Sequence, residues 1–243
     1  MLKVKNIVKN SLLSYFKHFH VVVGYAIALL ITLFINNFAF SLMGNDVTFV
    51  YAAGYPIYVY LLVLLAIVLS SLIYSMFTSI LVFVVRRDLF QGVKKMEMVK
   101  HIIKSTTSLF VISFIVNIIY FIIYYIFVGT VVAFLIPVLY FILAIFVFYC
   151  AQSIIIDEEG IGVALEHNYK FMKNNKLTTF VVYLVFVVLI FIVSLISMWI
   201  GGTTGLIVGL ILNTIFIVPL LEITKTVIYL TKFNIFNSYL RHR

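Results

Sequence analysis

"LTTFVVYLVFVVLIFIVSLISMWI", residues 177–200, contains no charged side chain and only a few polar ones. A helix rises about 1.5 Å per residue, so roughly 20 apolar residues are needed to cross a hydrocarbon core of about 30 Å. The run is long enough and predicts a transmembrane helix. Five further runs predict five more, at residues 21–43, 55–85, 107–128, 130–156 and 203–230.

The composition of the whole chain agrees with this reading. Of its 243 residues, 65% are hydrophobic and 10% are charged, and the mean hydropathy is +1.22. A chain with so few polar side chains cannot cover a soluble globule. The runs are continuous and do not alternate with period two, which favours helices over a barrel in lipid. We therefore predict an all-α polytopic membrane protein with six transmembrane helices, forming a single domain over residues 1–243.

The basic residues predict the orientation. With six spans, all 17 Lys and Arg residues fall on one side, whereas the opposite connections, at 44–54, around Gly129 and around Gly201, hold one charge, Asp46. By the positive-inside rule, both termini face the cytoplasm, and the protein belongs in the cell membrane. The net charge of +9 is then explained by contact with anionic lipids of the cytoplasmic leaflet, at about 1 kcal/mol per basic residue. Nucleic acid is not an expected partner, and a protein partner or a homo-oligomer stays open.

The N-terminus allows a second interpretation, a cleaved signal peptide. Lysines precede an apolar run, and "AFS" at residues 39–41 loosely resembles a cleavage site. The run is too long for a typical signal peptide, which favours a first span that is retained.

Three segments on the predicted cytoplasmic side have apolar residues at helical spacing opposite polar ones. Their apolar residues are Val4, Ile7, Val8, Leu12, Tyr15, Phe16 and Phe19; then Leu89, Val93, Met96, Val99 and Ile103; then Ile161, Ala164, Leu165 and Met172. We predict three transmembrane hairpins, each preceded by a cytoplasmic interfacial amphipathic helix, as repeat units 1–87, 88–157 and 158–231. Such units would be parallel repeats. Alternatively, the division is one that any six-span protein allows.

The acidic residues cluster in "IIIDEEGIGVALEHNYKFMKNNK", residues 154–176. Asp157, Glu158 and Glu159 are adjacent, and adjacent residues on a helix do not face one another, so they make a poor metal cage or acid/base pair. Negative charge before a helix and positive charge at its far end complement the helix dipole. We interpret the three carboxylates as an interfacial cap of the third surface helix, with basic residues at its end: Lys170, Lys173 and Lys176.

Motifs of known enzyme classes are absent from the sequence. The five histidines do not form an HExxH zinc site, and a glutamate pair followed by arginine would need arginine where the chain has Val163. No GxSxG, phosphate-binding loop or phospholipid-transferase motif occurs. We therefore predict no catalytic residue, no metal and no cofactor, and a protein that is not an enzyme.

Glu222 is the carboxylate that comes closest to the membrane interior. It lies about two-thirds of the way along the last run, with Lys225 three residues later as a potential partner and Pro219 one turn earlier. Proline removes a helical hydrogen bond and leaves a carbonyl free. The pair is either a gating or ion-coupling site or an interfacial ion pair. Asn117 and Asn213 are neutral polar residues in spans, expected to form interhelical hydrogen bonds.

Two stretches, IIIDEEGIGVALEHNYKFMKNN (154–175) and VPLLEITKTVIYL (218–230), resemble poorly characterised multi-span families. These families are related to the membrane domain attached to some glycerophosphodiester phosphodiesterases, in which an acidic or glycine-containing turn precedes an "ALxxS"-like helix. Asn168 stands where those families tend to have serine. The resemblance implies the fold but no catalytic residue, because the phosphodiesterase chemistry belongs to a separate soluble domain.

Two functions follow as expectations. The first is a non-enzymatic multi-pass protein, accessory to membrane organisation or assembly, whose basic surface helices contact lipid or a partner. The alternative is a small transporter or channel subunit with Glu222 as its charged element. A water-accessible cavity beside Asn117, Asn213 or Glu222 would favour the alternative.

Overall fold

A computed structural model describes residues 4–42, 57–89, 95–127 and 134–241. Within these ranges the chain consists of helices and turns and has no strand. A helix bonds its backbone groups within one segment, which is what a lipid environment requires. The all-α prediction is confirmed for this part of the chain.

The helices follow one another with short connections. They are α1 (Val4–Lys17), α2 (Phe19–Leu42), α3 (Ile57–Leu89), α4 (Lys95–Phe127), α5 (Leu135–Phe146), α6 (Cys150–Ile156), α7 (Ile161–Asn174), α8 (Lys176–Ile200), α9 (Gly202–Ile211) and α10 (Val218–Arg241). A π-helical segment, Leu212–Ile217, joins α9 to α10.

Six stretches in the described ranges are long and apolar enough to cross a membrane. We number them spans one to six: Phe19–Phe38, Ile57–Leu89, Val99–Tyr124, Val138–Ile156, Lys176–Ile200 and Gly202–Thr231. Each overlaps one of the six runs predicted from the sequence. The largest differences are at span three, which begins at Val99 instead of residue 107, and span four, which begins at Val138 instead of residue 130.

Two of the three predicted surface segments form helices of their own. A single residue, His18, separates α1 from α2. The third segment, α7, is separated from α6 by residues 157–160 and from α8 by Asn175. Both segments are therefore helices distinct from the spans to which they are joined.

The second predicted surface helix is not a separate element. Residues 90–94 lie outside the described part, and from Lys95 onward the segment continues into span three as α4 without a break. The sequence from 95 to 127 contains no glycine or proline that would end a helix. The prediction of a distinct surface helix is therefore wrong for this unit, and the threefold repeat stays a prediction.

The turn between spans five and six is fixed by glycines and a serine. Gly201 and Gly202 have φ angles of +72° and +56°, which glycine adopts without a steric cost. A Cβ on Gly205 would lie 2.1 Å from the backbone oxygen of Ser197, so only glycine lets α8 and α9 approach this closely. Ser197 Oγ donates to the Gly205 oxygen at 2.6 Å. The other two predicted outer connections, residues 44–54 and around Gly129, lie outside the described ranges.

The packing centre of the bundle is α3, which contacts α2, α4, α6 and α10. Its inner face carries small hydroxyl residues that are at most 3% exposed: Ser70, Ser71, Ser75, Thr78 and Ser79. Small side chains at helix interfaces in lipid let backbones approach closely. The same helix ends in Arg86 and Arg87, and we call this end of the bundle the basic end.

At the basic end, α1 is tied to α3. Lys17 pairs with Asp88, and His18 Nε2 lies 3.5 Å from the other carboxylate oxygen of Asp88. Burial lowers the pKa of His18, and the Asp88 carboxylate opposes this shift. The buried side of α1, which includes Ile7 and Tyr15, packs against α10.

Candidate functional site

The buried charges of span six form a short network with span four. Lys225 Nζ lies 2.7 Å from Glu222 Oε1, and both side chains are less than a tenth exposed. Gln152 of α6, which is fully buried, donates from Nε2 to Glu222 Oε2 at 3.1 Å. A buried carboxylate is tolerated only when it is paired and hydrogen-bonded. Both oxygens of Glu222 are satisfied, so the predicted pairing of Glu222 with Lys225 is confirmed.

The lysine of this pair is held from a second side by an aromatic ring. Lys225 Nζ lies 5.0 Å from the ring centroid of Phe148, within the range of a cation–π contact. Phe148 belongs to the turn between α5 and α6. Glu222 and Phe148 together fix the position of the ammonium group.

A cavity of about 440 Å³ lies beside this ammonium group. All six spans contribute to its wall, one residue of each being Thr32, Ser70, Asn117, Phe148, Tyr183 and Lys225. The volume is within the range of small-molecule sites, which is about 300–1,000 Å³. Lys225 is in the wall, whereas Glu222 is not among the lining residues. The pair therefore presents its cation to the cavity.

Asn117 lies in the same wall, on span three. Its Nδ2 donates to Ser71 Oγ at 2.9 Å, across to span two. One turn away, Ser113 Oγ donates to the Ser71 backbone oxygen at 3.3 Å. The predicted interhelical hydrogen bond of Asn117 is confirmed, and the residue also lines the cavity.

Span four is broken where it borders the cavity. Residues 147–149 form a turn between α5 and α6, and this turn contains Phe148. The broken backbone is bonded by α7: Asn168 Oδ1 accepts from the Tyr149 N–H at 2.8 Å, and Asn168 Nδ2 donates to the Phe146 oxygen at 2.6 Å. Irregular backbone at membrane depth is found where protein covers it or where it lines a cavity, and both conditions hold here.

Span six has a second irregularity, close to Pro219. The π-helical segment Leu212–Ile217 ends just before this proline. Pro219 has no N–H for the carbonyl four residues earlier. That carbonyl belongs to Ile215, and it accepts a hydrogen bond from the Tyr15 hydroxyl of α1 at 2.9 Å. The predicted free carbonyl is confirmed, and a residue of the first surface helix bonds it.

Asn213 is not part of this arrangement. It lies in the π-helical segment, it does not line the cavity, and its Oδ1 is buried with no hydrogen-bond partner among the described residues. The predicted interhelical hydrogen bond therefore does not form through that oxygen. The residue is on the same span as Glu222, whose side chain bonds to Gln152 of span four.

The acidic cluster at the basic end connects helices. Glu158 lies 3.2 Å from Arg86 Nη1 of α3 and 3.2 Å from His101 Nδ1 of α4. Asp157 accepts a hydrogen bond from the Tyr229 hydroxyl of α10. Glu158 has a φ angle of +58°, a conformation that is uncommon outside glycine. That backbone turn directs neighbouring carboxylates to different helices.

The cap prediction for these carboxylates is corrected by their contacts. The N-cap residue of α7 is Gly160, and no side chain caps it by a hydrogen bond. Asp157, Glu158 and Glu159 bond to other side chains instead. Their negative charge still precedes the helix and complements its dipole.

His167 also belongs to this cluster. Its position in the sequence, eight residues after Glu159, does not indicate this contact. His167 Nδ1 lies 2.9 Å from Glu159 Oε2, and Ser153 Oγ donates to the same oxygen at 3.2 Å. One ligand-type atom each of Asp157, Glu159 and His167 lies within 4.8 Å of the others, so these three residues could hold a metal ion. Burial raises the pKa of Asp157, and the Tyr229 hydroxyl opposes this shift.

No family model matches this chain, and no curated protein or solved structure shows a significant match. The resemblance to membrane domains attached to glycerophosphodiester phosphodiesterases therefore rests on two sequence motifs and stays a prediction. Any functional assignment has to come from the geometry of the chain itself.

Proposed function

We propose that this chain is a multi-pass protein of the cytoplasmic membrane with both termini in the cytoplasm. Six helices of sufficient length and apolarity support insertion. The basic residues support the orientation, because all 17 fall on one side when the chain crosses six times. The basic end is then the cytoplasmic end.

Cysteine labelling from each side of the membrane tests this topology. Asn45→Cys and Asn174→Cys, each in a Cys150→Ser background, should react with an impermeant maleimide from opposite sides of sealed vesicles. Labelling of both positions from the same side would contradict six spans.

We further propose that the protein is a small transporter, or a subunit of one, that binds its substrate in the central cavity. The observation that carries this proposal is the position of Lys225, whose ammonium group lies in the wall of a 440 Å³ cavity shared by all six spans. Buried ionisable residues inside a membrane bundle are costly and mark substrate or ion pathways. A bundle that needed only to be stable would fill this space with apolar side chains.

The wall of the cavity indicates the chemistry of the substrate. Most of its surface is apolar, and its cation is Lys225. An ammonium group has three N–H donors. One donates to Glu222 at 2.7 Å, and the remaining donors can bind an acceptor in the cavity. We therefore infer a substrate with a mostly apolar body and one anionic group.

The two irregular spans support transport more than simple binding. Span four is broken at residues 147–149 and span six contains a π-helical segment before Pro219. Broken helices near the substrate site are characteristic of transporters, where the two halves of a span can move separately. Phe148 lies in the first irregularity and Lys225 follows the second, and both residues are in the cavity wall.

Uptake into proteoliposomes tests the proposal. The probe is radiolabelled naphthalene-2-sulfonate, which has an apolar body and a permanent negative charge. We expect uptake well above that of protein-free liposomes, and loss of that excess in the double variant Glu222→Gln/Lys225→Gln. The double variant removes both charges, so neither is left buried without a partner.

Lys100→Gln is the matched control, because it removes a basic residue of the same end that is outside the cavity. It should keep the uptake of the unmodified protein. Uptake equal to that of empty liposomes, or equal uptake by the double variant, would contradict the proposed function. Equal uptake of the trimethylammonium analogue would contradict the role of Lys225.

The accessory function remains as a second candidate because of α1. This helix leaves Val8, Leu12, Leu13 and Phe16 at least 40% exposed, although its other side packs against α10. A helix with such a face can bind lipid or another protein. This candidate predicts no saturable uptake of any solute, and loss of co-purifying partners in Leu13→Ser/Phe16→Ser.

A further inference from the structure

A second space in the molecule lies outside the central cavity, between α5, α7 and α8. Its volume is about 930 Å³, at the upper end of the range for sites of drug-sized ligands. Apolar side chains of α5 and α8 form its walls, among them Phe141, Ile145 and Phe180. We call this space the α7 groove.

Basic residues stand at one end of the α7 groove. Lys173 is in the last turn of α7 and Lys176 is the first residue of α8, so the pair flanks the short connection between the two helices. Both line the groove, both are exposed, and neither has an ion-pair partner among the described residues. The groove therefore combines long apolar walls with two cations at its mouth.

The groove's carboxylate does not cancel these charges. Glu166 also lines it, but Lys170 Nζ lies 2.5 Å from Glu166 Oε1, four residues along the same helix. This pairing lowers the pKa of Glu166 and keeps the side chain ionised. The charges left for a ligand are those of Lys173 and Lys176.

We propose that the α7 groove binds one anionic glycerophospholipid of the surrounding bilayer, with its phosphate between Lys173 and Lys176 and an acyl chain along Phe141, Ile145 and Phe180. Basic pockets between membrane helices at the cytoplasmic side bind anionic headgroups. Apolar walls around a space of about 930 Å³ favour an acyl chain, which a free phosphate or a small anion does not have. This inference rests on the proposed membrane insertion and is independent of transport through the central cavity.

The α7 groove and the central cavity share a wall. Phe148 and Tyr183 line both the α7 groove and the central cavity, and their ring centroids are 5.8 Å apart. The two rings are thus a shared wall, and Asn168, which bonds the broken backbone of span four, lines the groove as well. A bound lipid covers the side of this wall that faces away from Lys225.

Native mass spectrometry of the purified full chain in a neutral detergent tests the inference. Dioleoyl phosphatidylglycerol and dioleoyl phosphatidylcholine are added at equal concentrations, so that only the headgroup differs. We expect one phosphatidylglycerol to be retained per chain, and Lys173→Gln/Lys176→Gln to weaken its retention by about tenfold or more, the effect of about two near-surface charges. Lys100→Gln/Lys104→Gln, which removes two exposed lysines of α4, should leave retention unchanged.

A second variant tests the apolar part of the site. Leu165 lines the groove and is 42% exposed, so Leu165→Trp narrows the groove without disturbing the core. This variant should lose phosphatidylglycerol although both lysines are present. A thermal unfolding curve for each variant shows whether the protein is still folded.

Four results would overturn the inference. The first two are equal retention of the two lipids and unchanged retention in the variant without Lys173 and Lys176. The third is displacement of the lipid by inorganic phosphate, and the fourth is a dimer that the groove variants abolish. The last two would indicate an anion site and a contact between copies of the chain. If the unmodified protein retains no phosphatidylglycerol but takes up naphthalene-2-sulfonate, only this site is contradicted. If it retains the lipid but shows no uptake, only the transport function is contradicted.

Discussion

Two polar clusters lie between α10 and the stretch formed by α6 and the residues that directly follow it, and they have different surroundings. The inner cluster joins Gln152 to Glu222 and Lys225, all less than a tenth exposed. The outer cluster joins Asp157 to Tyr229, two turns further along α10, and Ser153 to Glu159, and it reaches water at the basic end. In the inner cluster the two oxygens of Glu222 bond to Lys225 and Gln152, whereas the outer cluster spreads its bonds over α3, α4, α7 and α10.

A charge costs most free energy where it is buried away from water. Removing one partner of a buried pair leaves the other charge without water or a counterion. An exposed pair loses little, because water and salt replace the partner. The same change of a carboxylate should therefore have effects that decrease from the inner cluster to the outermost pair.

The largest effect is expected for Glu222→Ala. The change leaves the Lys225 ammonium buried and unpaired, and we expect the free energy of unfolding to fall by about 3–5 kcal/mol. The measurement is unfolding by SDS titration in mixed micelles. Glu222→Gln/Lys225→Gln should cost less than half as much, and equal losses for the single and double variants would show that the pair is not buried as a unit.

The next effect is expected for Asn168→Ala at the break of span four. Two hydrogen bonds, to the Tyr149 N–H and the Phe146 oxygen, are lost, and the buried Tyr149 N–H stays without a partner. We expect a loss of about 2–3 kcal/mol in the same unfolding assay. Asn174→Ala, an exposed residue at the end of the same helix, should stay within about 0.5 kcal/mol of the unmodified protein.

Asp157 should make stability depend on pH. Burial raises its folded-state pKa above the unfolded value, so the folded chain holds the proton more tightly. Its contribution is fully present below the unfolded pKa and is lost as pH rises through the folded pKa. Tyr229, Glu159, His167 and Arg86 face this carboxyl.

The free energy of unfolding of the unmodified protein, minus that of Asp157→Asn, should therefore rise as the pH falls from about 8 to about 4. Asparagine keeps an oxygen that accepts from Tyr229. A difference that does not change with pH would show that folding leaves the pKa of Asp157 unshifted, and one that falls as the pH falls would show that the outer cluster stabilises the ionised carboxylate instead.

The smallest effect is expected for Glu166→Gln. The pair with Lys170 is at least 59% exposed on both side chains, so solvent screens it. Unfolding in low and high salt should be indistinguishable from that of the unmodified protein. A clear loss would mean that the outer surface of α7 is covered by a partner in the assay.

Much of the inner cluster could be predicted from the sequence, because its main relations are local. Glu222 and Lys225 are three residues apart on one helix, where their side chains can meet. Pro219 has no N–H for the carbonyl four residues earlier, so the free carbonyl of Ile215 also follows from the local sequence. The six runs likewise follow from length and apolarity alone. Gln152 is 70 residues from Glu222, and no local pattern connects them.

The irregular span four could not be predicted for a different reason. Residues 147–149 contain neither glycine nor proline, so nothing local ends the helix there. The partner that bonds the break is Asn168, on a helix that the sequence predicts to lie at the membrane surface. Similarly, His167 meets Glu159 only because residues 157–160 turn the chain back.

The central claim is that a soluble anion can reach the cavity beside Lys225. In a Cys150→Ser background, Asn117→Cys places a thiol in the cavity wall and Leu195→Cys places one on the outer face of α8, 49% exposed. Methanethiosulfonates react with the thiolate, which forms only in contact with water. We therefore predict that sulfonatoethyl methanethiosulfonate labels Asn117→Cys in membranes much faster than Leu195→Cys. Naphthalene-2-sulfonate should slow that labelling. Labelling of Asn117→Cys no faster than that of Leu195→Cys would contradict the account.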